Sequence, residues 1–258
     1  MKNLKKKSAI ILCGGRGTRL GSLGKKIPKS LVKINSYPII WYIINNLKKN
    51  SFNHFILPVG YKGNLIKKYI KKISKFKKLH IDIVETGKDT PIAKRIHMIK
   101  DKVISNNFLL MNGDAVFDFN LSKIFKEHEN KGSDLTFIGS DNQLAYGTIG
   151  IINKRIVNFD RNITFNSVQN KSNKKIISYV YSGMSIFNKK LLSLKFKNLK
   201  NFEKQLYPLI IRKFKCDFKI FNGFWHSIDN LKDIDNIKMT NNKNKCLKLR
   251  KLIKKLNG

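Results

Sequence analysis

The run from Ala9 to Leu31, AIILCGGRGTRLGSLGKKIPKSL, leaves the chain few folds to choose from. Ala9 to Cys13 is short and wholly apolar, the pattern of a strand buried on both faces of a parallel sheet. It breaks at once into Gly14-Gly15-Arg16-Gly17-Thr18-Arg19. The glycines let the backbone turn sharply and bring bare N–H groups close to a ligand. Arg16 and Arg19, then Lys25, Lys26 and Lys29, load the same strand end with positive charge, and Pro28 fixes the backbone beside Lys29. A strand that ends in a cationic glycine loop suits a polyphosphate at the carboxyl edge of an α/β sheet. The alternative is an ordinary strand-to-helix turn that happens to be basic.

The chain beyond the loop repeats the alternation of strand and helix. Pro38 opens a helix to about Lys49, with Ile40, Ile43, Ile44 and Leu47 on one face. Phe55–Val59 reads as a strand, Asn64 to about Lys72 as a helix with Asn64 as its cap, and Ile81–Val84 as a strand. Ile92 to about Val103 reads as a helix and Phe108–Met111 as a fourth strand. This is the βαβ signal of a sheet flanked by helices. A helix at Leu121–Lys131 follows, then strands at Leu135–Ile138, Thr148–Ile152, Ile156–Phe159 and Tyr179–Phe187. Residues 162–175 are rich in Asn, Ser and Lys and read as a polar excursion. Helical patterns around Leu191 and over Phe202–Lys213 precede a strand at Phe218–Phe221 and a basic helical tail from Lys232. The expected fold is α/β, a Rossmann-like, mostly parallel mixed sheet with helices on both faces.

At 258 residues and 41% hydrophobic content the chain can bury a sizeable core as one domain. The expected division is a first half over 1–140, a second half over 141–230 and a tail over 231–258. No run of 18 apolar residues is present to span a membrane, and the basic start MKNLKKKSAIIL leads into a first strand, not a signal peptide. Cys13, Cys216 and Cys246 are odd in number and far apart, which points to a reducing cytoplasm and away from disulfides or a zinc site. The net charge of +37 is mostly lysine spread evenly among Asn and Ile, as in a chain of biased composition. Solvated lysines on helix faces cost little, so no nucleic-acid track is expected; a preference for anionic surfaces is the other reading.

Two familiar phosphate loops are excluded. No stretch supplies G-x-x-x-x-G-K-[ST], and counting G-x-G-x-x-G from Gly15 lands on Leu20. The stretch Gly14, Gly15, Gly17, Thr18, Arg19, Leu20, then Pro28 and Lys29, resembles the G-G-x-G-T-R-L…P-K signature of the sugar-1-phosphate nucleotidyltransferases. The resemblance runs from about residue 8 to 236. Within the family the glucose-1-phosphate cytidylyltransferase branch looks nearest, on Pro38-Ile39-Ile40-Trp41, Gly60-Tyr61-Lys62-Gly63, Glu85-Thr86-Gly87 to Thr90, and Gly223-Phe224-Trp225 to Asp229. Heptose-1-phosphate guanylyltransferases are similar over the first two thirds.

The resemblance implies a nucleotide-diphospho-sugar transferase-like fold and a reaction between a nucleoside triphosphate, CTP in the nearest branch, and a sugar 1-phosphate. Arg19 and Lys29 become the catalytic cations. Leu12, Gly14, Gly15, Gly17, Thr18, Thr90, Arg95 and Gly113 become nucleotide contacts, and Tyr146, Gly147, Arg161, Ser182 and Gly183 sugar-phosphate contacts. Asp114, at a strand's carboxyl end after Gly113, suits Mg²⁺ beside a triphosphate, and the resemblance adds Asp229 as a second ligand. Each has a plain alternative: Asp114 as a turn or helix cap, Asp229 as the cap of the helix from Leu231, Tyr146 as a core aromatic, Gly183 as a strand bulge. A homo-oligomer is a further possible state.

Two segments depart from the family pattern. Phe159-Asp160-Arg161-Asn162-Ile163 stands where Phe-x-Glu-Lys-Pro is usual, which leaves Arg161 as the cation for a sugar phosphate. Ile92-Ala93-Lys94-Arg95 stands where Thr-Gly-Gly-Arg is usual. A guanylyl or other transferase acting on a heptose or polyol phosphate, an impaired nucleotide-binding relative, and a basic nucleic-acid-binding protein are the competing readings.

Overall fold

In the computed structural model, which describes residues 6–73, 76, 79–140, 147–160, 177–238 and 243–257, the first apolar run forms β1, Ser8–Leu12. The glycine loop leads through a 3₁₀ turn, Thr18–Leu20, into the short α1, Gly21–Lys26, and a second 3₁₀ turn, Lys29–Leu31. β2, Lys33–Ile34, and β3, Tyr37–Pro38, then pair as a small hairpin ahead of α2, Ile39–Lys49. There follow β4, His54–Val59, α3, Gly63–Lys72, β5, His80–Glu85, and α4, Ile92–Ile99. Next come β6, Asn107–Asn112, β7, Ala115–Asp118, α5, Leu121–Lys131, β8, Leu135–Ser140, β9, Thr148–Ile152, β10, Arg155–Asp160, and β11, Ile177–Asn188. The chain closes with α6, Phe202–Lys213, β12, Cys216–Ile220, β13, Phe224–Ser227, α7, Leu231–Lys238, and α8, Lys243–Asn257.

The chain folds as two compact units that interleave in sequence: Met1–Thr90 with Asn112–Leu121 and Asn222–Gly258, and Pro91–Met111 with Ser122–Phe221. In the first, β4 lies parallel to both β1 and β5, in register Ser8↔His54 and His54↔His80. β1 and β4 are buried almost end to end, which is why their sequences are nearly unbroken apolar runs. α2 packs on β7, β3 and α8 and is buried from Ile39 to Leu47 all round, not on one face. Its two polar residues in that span find backbone partners: Asn45 Nδ2 donates to Trp41 O at 2.8 Å, and Asn46 Nδ2 donates to Phe117 O of β7. Asn64 does not cap α3. The residue before the helix is Lys62, in left-handed backbone with no side-chain cap, and a Gly63 N to Gly60 O turn closes first.

The second unit is largely antiparallel: β11 pairs with β6, β8 and β9, and β9 with β10, while β12 runs parallel to β8. Its core includes Phe137, Phe159, Tyr181 and Tyr207, with Tyr181 and Tyr207 joined through their hydroxyls at 2.9 Å. No helix among the described residues is long and apolar enough to cross a membrane.

Candidate active site

A two-stranded antiparallel ladder decides where the two aspartates go. β7 pairs with β13 in register Ala115↔Ser227, so Asp114, just before β7, and Asp229, just after β13, emerge at the same end. The backbone locks that end, since Ile228 N donates to Asp114 O at 2.9 Å. Sequence patterning missed β7, whose four residues follow Asp114 directly.

Neither carboxylate is spent on a helix cap. Asn230 takes the cap of α7: its Oδ1 accepts from Asp233 N at 3.2 Å, and Asp233 Oδ2 accepts from Asn230 N at 2.9 Å. Asp233 Oδ2 also accepts from Asp229 N at 2.7 Å, which fixes the Asp229 backbone and leaves its side chain to face inward. Lys29 Nζ then donates to Asp114 Oδ2 at 2.8 Å and to Asp229 Oδ1 at 2.9 Å. The two carboxylates therefore share one ammonium and lie within reach of one cation. Arg19 adds a contact at 3.3 Å to Asp229 Oδ1 from a side chain that is 71% exposed, whereas Lys29 is only 16% exposed.

The glycine loop shapes the wall beside this cluster. Gly17 sits at φ 64°, and a side chain there would press on Lys29 Cβ. Gly113 is required for a different reason: a Cβ would meet Leu12 O at 2.7 Å and Cys13 Sγ at 3.0 Å, where Gly113 N donates to Leu12 O at 3.1 Å. Leu12, Cys13, Gly15, Gly17, Lys29, Ser30, Gly113 and Asp114 line a cavity of about 90 Å³. Burial pushes the Cys13 thiol up to about 12, with the Asp114 charge acting the same way and the Ser30 hydroxyl opposing them, so this thiol is no nucleophile at neutral pH. Gly14 O accepts from Tyr61 N at 3.3 Å, and Arg16 grips Asp89 through two bonds of 2.6 Å. Cys13, Ser30 and Ser227, whose Oγ donates to Asp229 Oδ2 at 3.4 Å, are neighbours that the sequence reading did not single out.

Leu12, Gly14, Gly15, Gly17, Thr18, Arg19, Lys29, Thr90, Gly113, Asp114 and Asp229 all belong to the first unit. Arg95, Gly147, Ser182 and Gly183 belong to the second. Arg95 is buried on α4 at 4% exposure. Gly183 stands at φ 76° where the β11–β8 register shifts between Tyr181 and Met184, so the strand glycine marks a bulge, and Ser182 Oγ donates to Ile138 O at 2.7 Å. Gly147 O accepts from Tyr181 N at 2.9 Å. Tyr146, Arg161 and the 162–175 excursion lie outside the described residues.

The donor set at the carboxylate cluster is all oxygen, two aspartates on one point, which suits a hard cation such as Mg²⁺. Residues 8–244 match the profile of the Nucleotidyl transferase family. The chain belongs to that family. Among the chain's curated relatives, the Probable glucose-1-phosphate cytidylyltransferase of Bacillus subtilis is 34% identical over 162 residues, 55% of this chain and 64% of the relative. The D-glycero-alpha-D-manno-heptose 1-phosphate guanylyltransferase of Campylobacter jejuni is 40% identical over 123 residues, 48% of this chain and 54% of the relative. The chain thus spans somewhat over half the length of each. Solved structures share the fold: HddC from Yersinia pseudotuberculosis complexed with GMP-PN, at TM-score 0.71 and 21% identity, covers 88% of this chain and 96% of its own. The inositol-1-phosphate CTP transferase from T. maritima, at TM-score 0.69 and 22% identity, covers 89% and 91%.

Proposed function

We propose that this chain moves a nucleotidyl group from a nucleoside triphosphate to a sugar 1-phosphate, with CTP and glucose 1-phosphate as the preferred pair. The observation that carries the reading is the convergence of Asp114 and Asp229 on Lys29, beside a glycine loop lined by open cavity. The choice of CTP rests on the cytidylyl relative and on the Pro38–Trp41 and Gly223–Asp229 segments. The guanylyl relative, at higher identity over a shorter stretch, supports GTP with a heptose 1-phosphate as the second reading.

In the proposed reaction a sugar 1-phosphate oxygen forms a bond to the α-phosphorus, and the bond from that phosphorus to the bridging oxygen breaks, releasing pyrophosphate. The attacking oxygen is already ionised, so no side chain need take a proton. Both reactants are anions, and the chain's task is to hold them in line and offset their charge. Lys29 is placed to exchange its carboxylate partners for phosphate oxygens as the nucleotide arrives, with exposed Arg19 closing on the same charge. The loop N–H groups around Gly14, Gly15 and Thr18 are assigned to the triphosphate, and Thr90 and Arg95 to the nucleoside. Gly147, Ser182 and Gly183 are assigned to the sugar phosphate, as are Tyr146 and Arg161 on the motif alone. Asp114 and Asp229 would hold Mg²⁺, which supplies charge neutralisation across the phosphate oxygens when bound.

The test is a pyrophosphate-release assay of four nucleoside triphosphates against glucose, heptose and inositol phosphates. CTP with glucose 1-phosphate is expected to turn over fastest, chelator to stop turnover, and Asp114→Ala to lower kcat about 100-fold or more. Turnover that survives in Asp114→Ala, or absence of turnover with every pair, overturns the reading.

A further inference from the structure

The opposite end of the first unit's parallel strands carries a second convergence. The glycine loop leaves the carboxyl end of β1, whereas His54 and His80 stand at the amino ends of β4 and β5 and face each other in register. Asp82 follows His80 by two residues and so lies on the same face of β5. His54 Nε2 stands 3.0 Å from Asp82 Oδ2 and His80 Nε2 3.8 Å from it, and one donor atom of each side chain lies within 4.8 Å of the other two. The imidazoles stack with centroids 4.3 Å apart.

A stacked pair of imidazoles on one carboxylate is a poor place for two protons, because two imidazolium rings in contact repel. It is a good place for one divalent ion. Two imidazole nitrogens and a carboxylate oxygen make a mixed N/O set that suits zinc-class ions and not Mg²⁺, which favours oxygen alone. The ring of His54 is anchored from behind, since Ser8 Oγ, fully buried on β1, lies 2.9 Å from Nδ1. With Nδ1–H donating to that hydroxyl, Nε2 is the lone-pair nitrogen a metal ion takes; with Nε2–H donating to Asp82 Oδ2 instead, the ion replaces that proton. Such outer hydrogen bonds set the orientation of metal-binding histidines. His54 is 1% exposed and His80 54%, so the cluster is rigid on one side and open to ion and water on the other.

We propose that His54, His80 and Asp82 form a site for a divalent transition metal of the zinc class, which ties β5, the last strand of the parallel set, to β4. The site stands apart from the nucleotide loop and is independent of the transfer reaction.

The test uses the full chain, freed of metal by chelator and kept in millimolar Mg²⁺ so that oxygen-only sites are occupied. Zn²⁺ is titrated against a chromophoric competitor, and Zn²⁺-induced shifts of the imidazole ¹⁵N resonances are recorded. The wild-type chain is expected to take up one equivalent that moves the His54 and His80 signals and leaves His97, His128 and His226 in place. His80→Asn and Asp82→Asn, both at solvent-reachable positions, are expected to weaken that uptake about tenfold or more. They are also expected to lose the rise in melting temperature that Zn²⁺ gives the wild-type chain. Wild-type affinity in both variants, or signals that move only at the other histidines, overturns the proposal.

Discussion

Gly15 and Gly113 sit in the same cavity wall for opposite reasons. At Gly113 a Cβ would strike the Leu12 carbonyl, backbone that cannot yield cheaply. At Gly15 a Cβ would meet no atom within 4 Å, so nothing in the protein itself explains the absence of a side chain. The difference separates a packing glycine from one kept clear for a ligand. Gly113→Ala is expected to lower stability by about 1–3 kcal/mol in urea unfolding, as overpacking does. Gly15→Ala is expected to unfold within about 0.5 kcal/mol of wild type, the range for unobstructed surface positions, yet to bind CTP about tenfold more weakly by calorimetry. Unchanged nucleotide affinity in Gly15→Ala would remove this glycine from the proposed phosphate loop.

At the scale of elements, the β13–α7 corner joins stability to chemistry. Asn230 caps α7, whereas Asp233 both completes that cap and holds the Asp229 backbone. Each substitution to alanine is expected to cost about 1 kcal/mol of stability. Only Asp233→Ala should also raise, several-fold, the Mg²⁺ concentration needed for half-maximal turnover, because only it frees Asp229 to drift; Asn230→Ala with the same rise would show a general loosening instead. This corner also shows what could be read beforehand. The meeting of Asp114 and Lys29 beside the loop was legible from motif spacing, and that of Asp229 with them from the family resemblance. The bulge at Gly183 is the plain alternative that the sequence offers to a sugar contact, and the span of α2 was legible from Pro38 and its apolar face. The all-round burial of α2 was not, because Asn45 and Asn46 look solvent-facing until Trp41 and Phe117 offer them carbonyls. Nor was the antiparallel character of the second unit, since residue alternation reveals a strand without its partner's direction. His54 and His80 passed unnoticed because only the pairing of β4 with β5 sets them opposite each other.

For the molecule as a whole, charge and burial set the response to acid. With a net charge of +37, every proton gained adds to self-repulsion, and salt screens that term. His128 adds a contribution of another kind. It is 1% exposed, its Nδ1 lies 2.8 Å from Thr136 Oγ1 and its Nε2 3.2 Å from Asn107 Oδ1, and burial lowers its pKa from 6.5 to about 4. Between those values the unfolded chain holds a proton that the folded chain refuses, so stability falls as pH drops from 6.5 toward 4 and is flat in this respect above 6.5. At 1.36 kcal/mol per unit the loss attributable to His128 approaches about 3 kcal/mol. The measurement is urea unfolding at pH 7.5, 5.5 and 4.5, in low and moderate salt, for the wild-type chain and His128→Gln. Salt should flatten the slope shared by both proteins. The extra slope of the wild-type chain should persist, because its cause is desolvation of a buried ring and not repulsion across solvent. Parallel pH profiles in the two proteins would show that His128 takes its proton in the folded state as readily as in the unfolded one, and that the acid response belongs to the surface charge alone.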